Sequence, residues 1–157
     1  FLDFSLIKPR LHRWKFNLKT GATTEEDICN ETIEFGVINQ EIAGIEHRYT
    51  YSMIPTKGHF TFDGITKHDH KKNSISKYVF PEHIFISEVS FAQSTASNNE
   101  DDGYLITISN DVKEKTSSCL MFDAKNIEIG PICEIPLPHQ VCSGTHATWA
   151  QKSNLKT

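Results

Sequence analysis

Apolar and polar residues alternate in eight short runs, residues 11–18, 47–54, 59–65, 75–80, 85–91, 104–109, 119–123 and 127–135. A period of two, with β-branched and aromatic side chains at the apolar positions, predicts pleated strands that bury one face. The 3.6-residue period of an amphipathic helix is hard to find, so the expected fold class is all-β. Turn-forming groups separate the runs: Lys19-Thr20-Gly21, Thr56-Lys57-Gly58, Lys71-Lys72-Asn73, Asp102-Gly103 and Asn110-Asp111. Connections of this kind predict antiparallel hairpins.

One hairpin ending recurs: a strand closes on Asn or Asp, with Lys two positions later. The copies are Phe16-Asn17-Leu18-Lys19, His68-Asp69-His70-Lys71 and Phe122-Asp123-Ala124-Lys125, at offsets of 52 and 54 residues. That spacing fits a four-stranded propeller blade with its connections. The chain then holds two to three blades' worth of strands, fewer than a closed ring needs, and reads as part of a larger propeller.

Charge narrows the function. The formal net charge of −4 comes without a basic stripe interleaved with aromatics, which argues against nucleic-acid binding. Cys29, Cys119, Cys133 and Cys142 form no C-x-x-C pair. They are expected to be reduced, mostly buried thiols of a cytoplasmic protein. There is no signal peptide and no apolar run long enough to span a bilayer, and the chain begins with Phe1.

Three places carry candidate metal chemistry. The acidic stretch 94–102 lacks the alternating acids, Gly and closing Glu of an EF-hand, and a solvated surface loop is the better account. His68 and His70 share a strand face in a lysine-rich hairpin, where adjacent cations disfavour a metal and a wet hairpin edge is expected. His146 follows a Ser143-Gly144 turn. Gly144 is expected to let the backbone approach a site closely, and Thr148 and Trp149 to lock a following strand into a core. Taken alone, this histidine is more often structural than a ligand.

Five blocks ahead of His146 change that weighting. They are His12-Arg13-Trp14-Lys15-Phe16-Asn17-Leu18-Lys19-Thr20-Gly21, Ile33-Glu34-Phe35-Gly36-Val37-Ile38-Asn39, Ser87-Glu88-Val89-Ser90-Phe91, Glu100-Asp101-Asp102-Gly103-Tyr104-Leu105 and Leu120-Met121-Phe122-Asp123-Ala124-Lys125. With the closing segment 137–149, their order and spacing resemble the carotenoid cleavage oxygenases, which include carotenoid, apocarotenoid, lignostilbene and retinoid-processing members. The resemblance runs from about Arg10 to Trp149 and corresponds to the C-terminal part of a longer protein.

The resemblance implies a seven-bladed β-propeller in which residues 1–157 belong to one oxygenase domain with no second domain. It implies a non-haem Fe(II) on the axis, held by four histidines, of which only His146 lies in this chain. Glu34 and Glu88 match carboxylates that steady the iron-bound imidazoles, since a carboxylate accepting the other ring N–H fixes the tautomer. The implied reaction is O2-dependent cleavage of a conjugated C=C bond in a carotenoid, apocarotenoid or stilbene-type substrate, giving two carbonyl products. Phe35, Phe85 and Phe91 are expected in the core, with an apolar substrate passage as their other possible role. Membrane association is left open, because no segment shows an apolar patch for it. The competing class is a propeller that has lost the metal and serves as a binding scaffold. The chain departs from the family pattern at Gly36 and Cys142, where proline is usual, and at Thr145 and Ala147, where an aromatic residue and glycine are usual. It also departs at Val89-Ser90-Phe91-Ala92-Gln93, where a proline-flanked segment is usual.

Overall fold

The computed structural model describes residues 3–96, 98–142, 144, 146–152 and 155. It is built from β1 (His12–Phe16), β2 (Thr23–Asp27), β3 (Glu34–Val37), β4 (Tyr49–Pro55), β5 (Phe62–Asp69) and β6 (Ser74–Val79). β7 (Ile84–Ile86), β8 (Ser90–Gln93), β9 (Gly103–Asp111), β10 (Thr116–Asp123) and β11 (Pro131–Pro136) follow, with three single-turn 3-10 helices. The chain is all-β, as the alternation predicts. Among the described residues no helix is long and apolar enough to cross a membrane.

All strand pairs are antiparallel, and β3 to β11 group into two four-stranded units. In the first, β3 pairs with β4, β4 with β5 and β5 with β6. In the second, β7 and β8 lie in succession along β9, which pairs with β10, and β10 with β11. One residue pair, Phe62 with Ile86, joins the units into a continuous sheet. The β1–β2 hairpin forms a sheet of its own.

The recurring Asn/Asp-x-Lys ending has a structural basis. Asn17 Oδ1 accepts from the backbone N–H groups of Lys19 and Thr20, Asp69 Oδ1 from those of Lys71 and Lys72, and Asp123 Oδ1 from that of Lys125. These are Asx turns. Asp69 and Asp123 each end the third strand of a unit. Asp111 makes the same turn to Lys113 and Glu114 but ends a second strand, so the spacing carries the repeat and the turn chemistry does not.

The core lies between the two units. Tyr51, Met53 and Ile65 of the first face Phe91, Leu105, Leu120 and Phe122 of the second, all in one buried cluster. Tyr51 stacks on Phe91 at 5.7 Å between centroids, and its hydroxyl donates to the Ala124 carbonyl at 3.0 Å. Burial pushes the Tyr51 phenol well above its usual range. Gly103 allows a close approach at the edge of this cluster: a Cβ there would meet the Ala92 carbonyl oxygen at 2.6 Å.

Several expectations fail for identifiable reasons. β2 was not predicted because Thr23-Thr24-Glu25-Glu26-Asp27 is polar throughout and every residue is exposed. The run 85–91 is two strands separated by residues 87–89, and the run 127–135 is a 3-10 turn at Ile127–Ile129 followed by β11. The cysteines are free but none is buried, and Cys133 lies on the exposed edge strand β11. The acidic loop is not simply solvated. Glu100 accepts from the backbone N–H groups of Arg48 and Tyr49 and Asp101 pairs with Lys67, tying the units together, while Asp102 pairs with Lys125 within the second unit. Ser97 of that loop lies outside the described residues. His68 is not at a wet edge: it is 2% exposed and lies on the inner strand β5, between β4 and β6.

Candidate functional site

Two interruptions, each in the first strand of a unit, build the site. In β3, Glu34 pairs with Met53 and Val37 with Tyr51, so two residues on β3 face one on β4 and the register shifts. The extra residues are Phe35 and Gly36, and Phe35 takes a φ of 51°, the left-handed region. In the second unit the first strand breaks between β7 and β8, at Ser87, Glu88 and Val89. Val89 is fully buried and Ser87 nearly so, which anchors the break.

The break holds the C-terminal segment. The Gly144 N–H donates to Ser87 Oγ at 3.1 Å, and the Ala147 N–H donates to Glu88 Oε2 at 2.7 Å. The same carboxylate oxygen lies 3.3 Å from His146 Nδ1. With Nδ1 carrying the proton toward Glu88, the Nε2 lone pair is free to bind a metal. The Phe35 ring meets the imidazole at 5.5 Å, with the ring planes at 87°, and meets Phe62 at the same distance. Glu88 is 13% exposed and the His146 side chain 73%, so among the described residues one face of the imidazole is open.

The structure thus brings together Glu88 and His146, two of the three residues singled out in the sequence. Glu34 stands apart from them. Its side chain makes no hydrogen bond or ion pair with the described residues and borders a cavity of about 270 Å³ with Ile7, Pro55, Thr56, Phe60 and Phe62. Phe35 sits between this cavity's Phe62 and His146. Sequence reasoning assigned Phe35 only to core or substrate lining, and no periodicity announces a bulge that turns it onto a histidine.

Three expectations about the closing segment are corrected. No strand follows His146 among the described residues, and Trp149 is 50% exposed. The segment is held by side chains of Ser87 and Glu88, and among the described residues no strand pairs with it. Gly144 is not required for close approach, since a Cβ there would meet Ser87 Oγ at an ordinary 3.7 Å. Ser143 and Thr145 lie outside the described residues.

One imidazole steadied by one carboxylate fits one corner of an all-histidine iron site. No group of three or more His, Cys, Asp or Glu among the described residues could hold a metal, so the chain would supply that corner only.

A model of the family described as retinal pigment epithelial membrane protein matches residues 3–151. A carotenoid cleavage oxygenase of Mycobacterium tuberculosis is 30% identical over 149 residues, covering 91% of this chain and 29% of that protein. Lignostilbene-alpha,beta-dioxygenase isozyme III of Sphingomonas paucimobilis is 25% identical over 162 residues, covering 94% of this chain and 33% of that protein. The chain therefore spans about 30% of the length of the curated relatives it matches. A cobalt-substituted Synechocystis ACO superposes with a TM-score of 0.87 at 23% identity, covering 96% of this chain and 32% of that one. These structural neighbours are β-propellers, and the two four-stranded units are blades of that fold.

Proposed function

The chain belongs to the retinal pigment epithelial membrane protein family, and from that premise we propose that it is the C-terminal part of a non-haem Fe(II)-dependent dioxygenase. The substrate class is a carotenoid, apocarotenoid or stilbene-type alkene, whose conjugated C=C bond is cleaved with O2 to two carbonyl products. The family's relatives are dioxygenases named for carotenoid and lignostilbene cleavage, and one structural neighbour is cobalt-substituted. The observation that carries the reading is the Glu88–His146 contact, with Nδ1 engaged and Nε2 free.

His146 would be one ligand, and three further histidines would come from the part of the protein outside this chain. Bound iron would supply open coordination positions at which O2 is activated beside an electron-rich alkene. This chain's residues do the positioning. Glu88 holds the imidazole tautomer, and through the Ala147 N–H it holds the backbone beside the ligand. Glu34 would steady a histidine of the part of the protein outside this chain. The cavity it borders, with Ile7, Pro9, Pro55, Phe60 and Phe62 in its wall, would take an apolar substrate. We propose further that residues 1–157 form one piece of a single propeller domain in a cytoplasmic protein.

The test is iron content of the full-length protein purified without oxygen, beside its His146→Ala variant. About one iron per chain, lost in the variant, is the expected result. No iron in either protein would overturn the proposal in favour of a metal-free scaffold.

A further inference from the structure

Among the described residues, three that are not glycine adopt a positive φ: Phe35, Asn73 and Lys115. Asn73 and Lys115 close hairpins, where a left-handed residue completes the turn. Phe35 lies inside β3, where a bulky residue in that conformation is disfavoured unless the surroundings hold it. The bulge that imposes it does two things at once. It leaves Glu34 bordering the cavity, and it sets the next side chain against Phe62 and His146.

The His146 imidazole is held by few contacts. A hydrogen bond from Nδ1 to Glu88 fixes where that nitrogen points but leaves the ring free to rock about the Nδ1–Oε2 line. A second ring perpendicular to the imidazole at 5.5 Å limits that rocking, because edge-to-face aromatic contacts are directional. The two restraints come from different blades, Glu88 from the second and Phe35 from the first. Together they define the plane of the imidazole and hence the direction of its Nε2 lone pair.

We propose that Phe35 is a positioning residue for His146: its strained backbone holds the aromatic ring against the imidazole and so sets the direction from which this ligand meets the metal. The inference rests on the reading of His146 as a ligand. A small displacement of a ligand matters because the supports of a metal site govern its affinity and geometry.

The test uses the full-length protein stripped of metal and titrated with cobalt(II), whose visible absorption bands report ligand geometry. Phe35→Gly removes the ring while fitting a φ of 51° better than phenylalanine does. Phe35→Leu keeps apolar volume without an aromatic plane, and Phe35→Tyr keeps the ring. The expected result is cobalt binding roughly three- to tenfold weaker in the Gly and Leu variants, with displaced bands, and both properties restored in the Tyr variant. A merely structural role would lower the melting temperature without displacing the bands. Wild-type affinity and band positions in both the Gly and Leu variants would overturn the inference alone. A wild-type protein that takes up no cobalt, or a His146→Ala variant that binds it unchanged, would overturn the ligand reading first and this inference with it.

Discussion

Glu34 and Glu88 lie 54 residues apart, the offset that also separates Asp69 from Asp123, and each stands in the first strand of its blade where the hydrogen-bond ladder is interrupted. Glu88 accepts from the Ala147 N–H and contacts His146, whereas Glu34 has no such partner among the described residues and borders a cavity. The interruptions also differ. The second blade breaks its strand outright and buries Val89 as an anchor, while the first inserts a bulge at a left-handed Phe35. A regular ladder would alternate its side chains between the two faces of the sheet, so a carboxylate freed at a blade's inner strand requires some such break. The backs of the blades differ as well. The first blade buries a polar layer of Thr50, Ser52, Thr66 and His68 on the face away from the shared core, with His47 and His70 beside it.

The largest expected effect tests whether the blades are one cooperative unit. Phe122 has no exposed surface and touches Tyr78 and Phe80 across the interface. Phe122→Ala should cost about 3–5 kcal/mol. Denaturant unfolding followed by hydrogen exchange should show both blades losing protection together; loss confined to β9–β11 would mean that they fold apart.

The next effect concerns the two carboxylates. Glu88→Gln should weaken metal binding by the full-length protein about ten- to a hundredfold, because the imidazole loses its acceptor. Glu34→Gln should weaken it by a similar factor if a histidine outside this chain completes the pair. Titration of metal into each variant distinguishes the cases, and an unaffected Glu34→Gln would end the functional equivalence of the two positions.

Acid should separate the blades. His70 is held down to about 4 by burial first, then by the charges of His68, His47 and Arg13, with Asp69 opposing, while the unfolded imidazole titrates near 6.5. Between these values the unfolded chain binds more protons, so stability falls as pH drops from 6.5 toward 4 and levels off below. The expected loss is about 1–2 kcal/mol after allowance for solvent screening. Hydrogen exchange at pH 7 and 4.5 should show β4–β6 loosening before β9–β10, and His70→Gln should remove much of the difference.

The smallest effect is Tyr51→Phe, which removes the hydrogen bond to the Ala124 carbonyl while keeping the ring on Phe91. A loss of about 1 kcal/mol in denaturant unfolding is expected. No loss would mean that this hydrogen bond contributes nothing to joining the blades.

β4, β5, β9 and β10 were legible because each turns one face toward the shared core, whereas β1 and β11 alternate without contributing to it. β2 was not legible, since its residues are polar and exposed and join β1 through backbone pairing and surface ion pairs such as Arg13–Glu26 and Lys15–Glu26, none of which shows as alternation. His68 looked like a surface residue beside lysines, and nothing local reveals that β5 is flanked on both sides. Glu88 and His146 were legible from their blocks, though not their contact, which spans 58 residues. The expectation of a strand after His146 failed because strand formation needs a partner, and among the described residues none is there.

By itself the sequence determined the all-β class, the hairpin turns and the blade spacing. Alternation, turn chemistry and an offset of 54 residues are properties of neighbouring positions or of simple counting along the chain. Only the tertiary structure decided which carboxylate meets His146, which ring fixes its plane and which histidine is buried. Those outcomes depend on where two blades place their interrupted inner strands in space, and sequence separation carries no information about that distance.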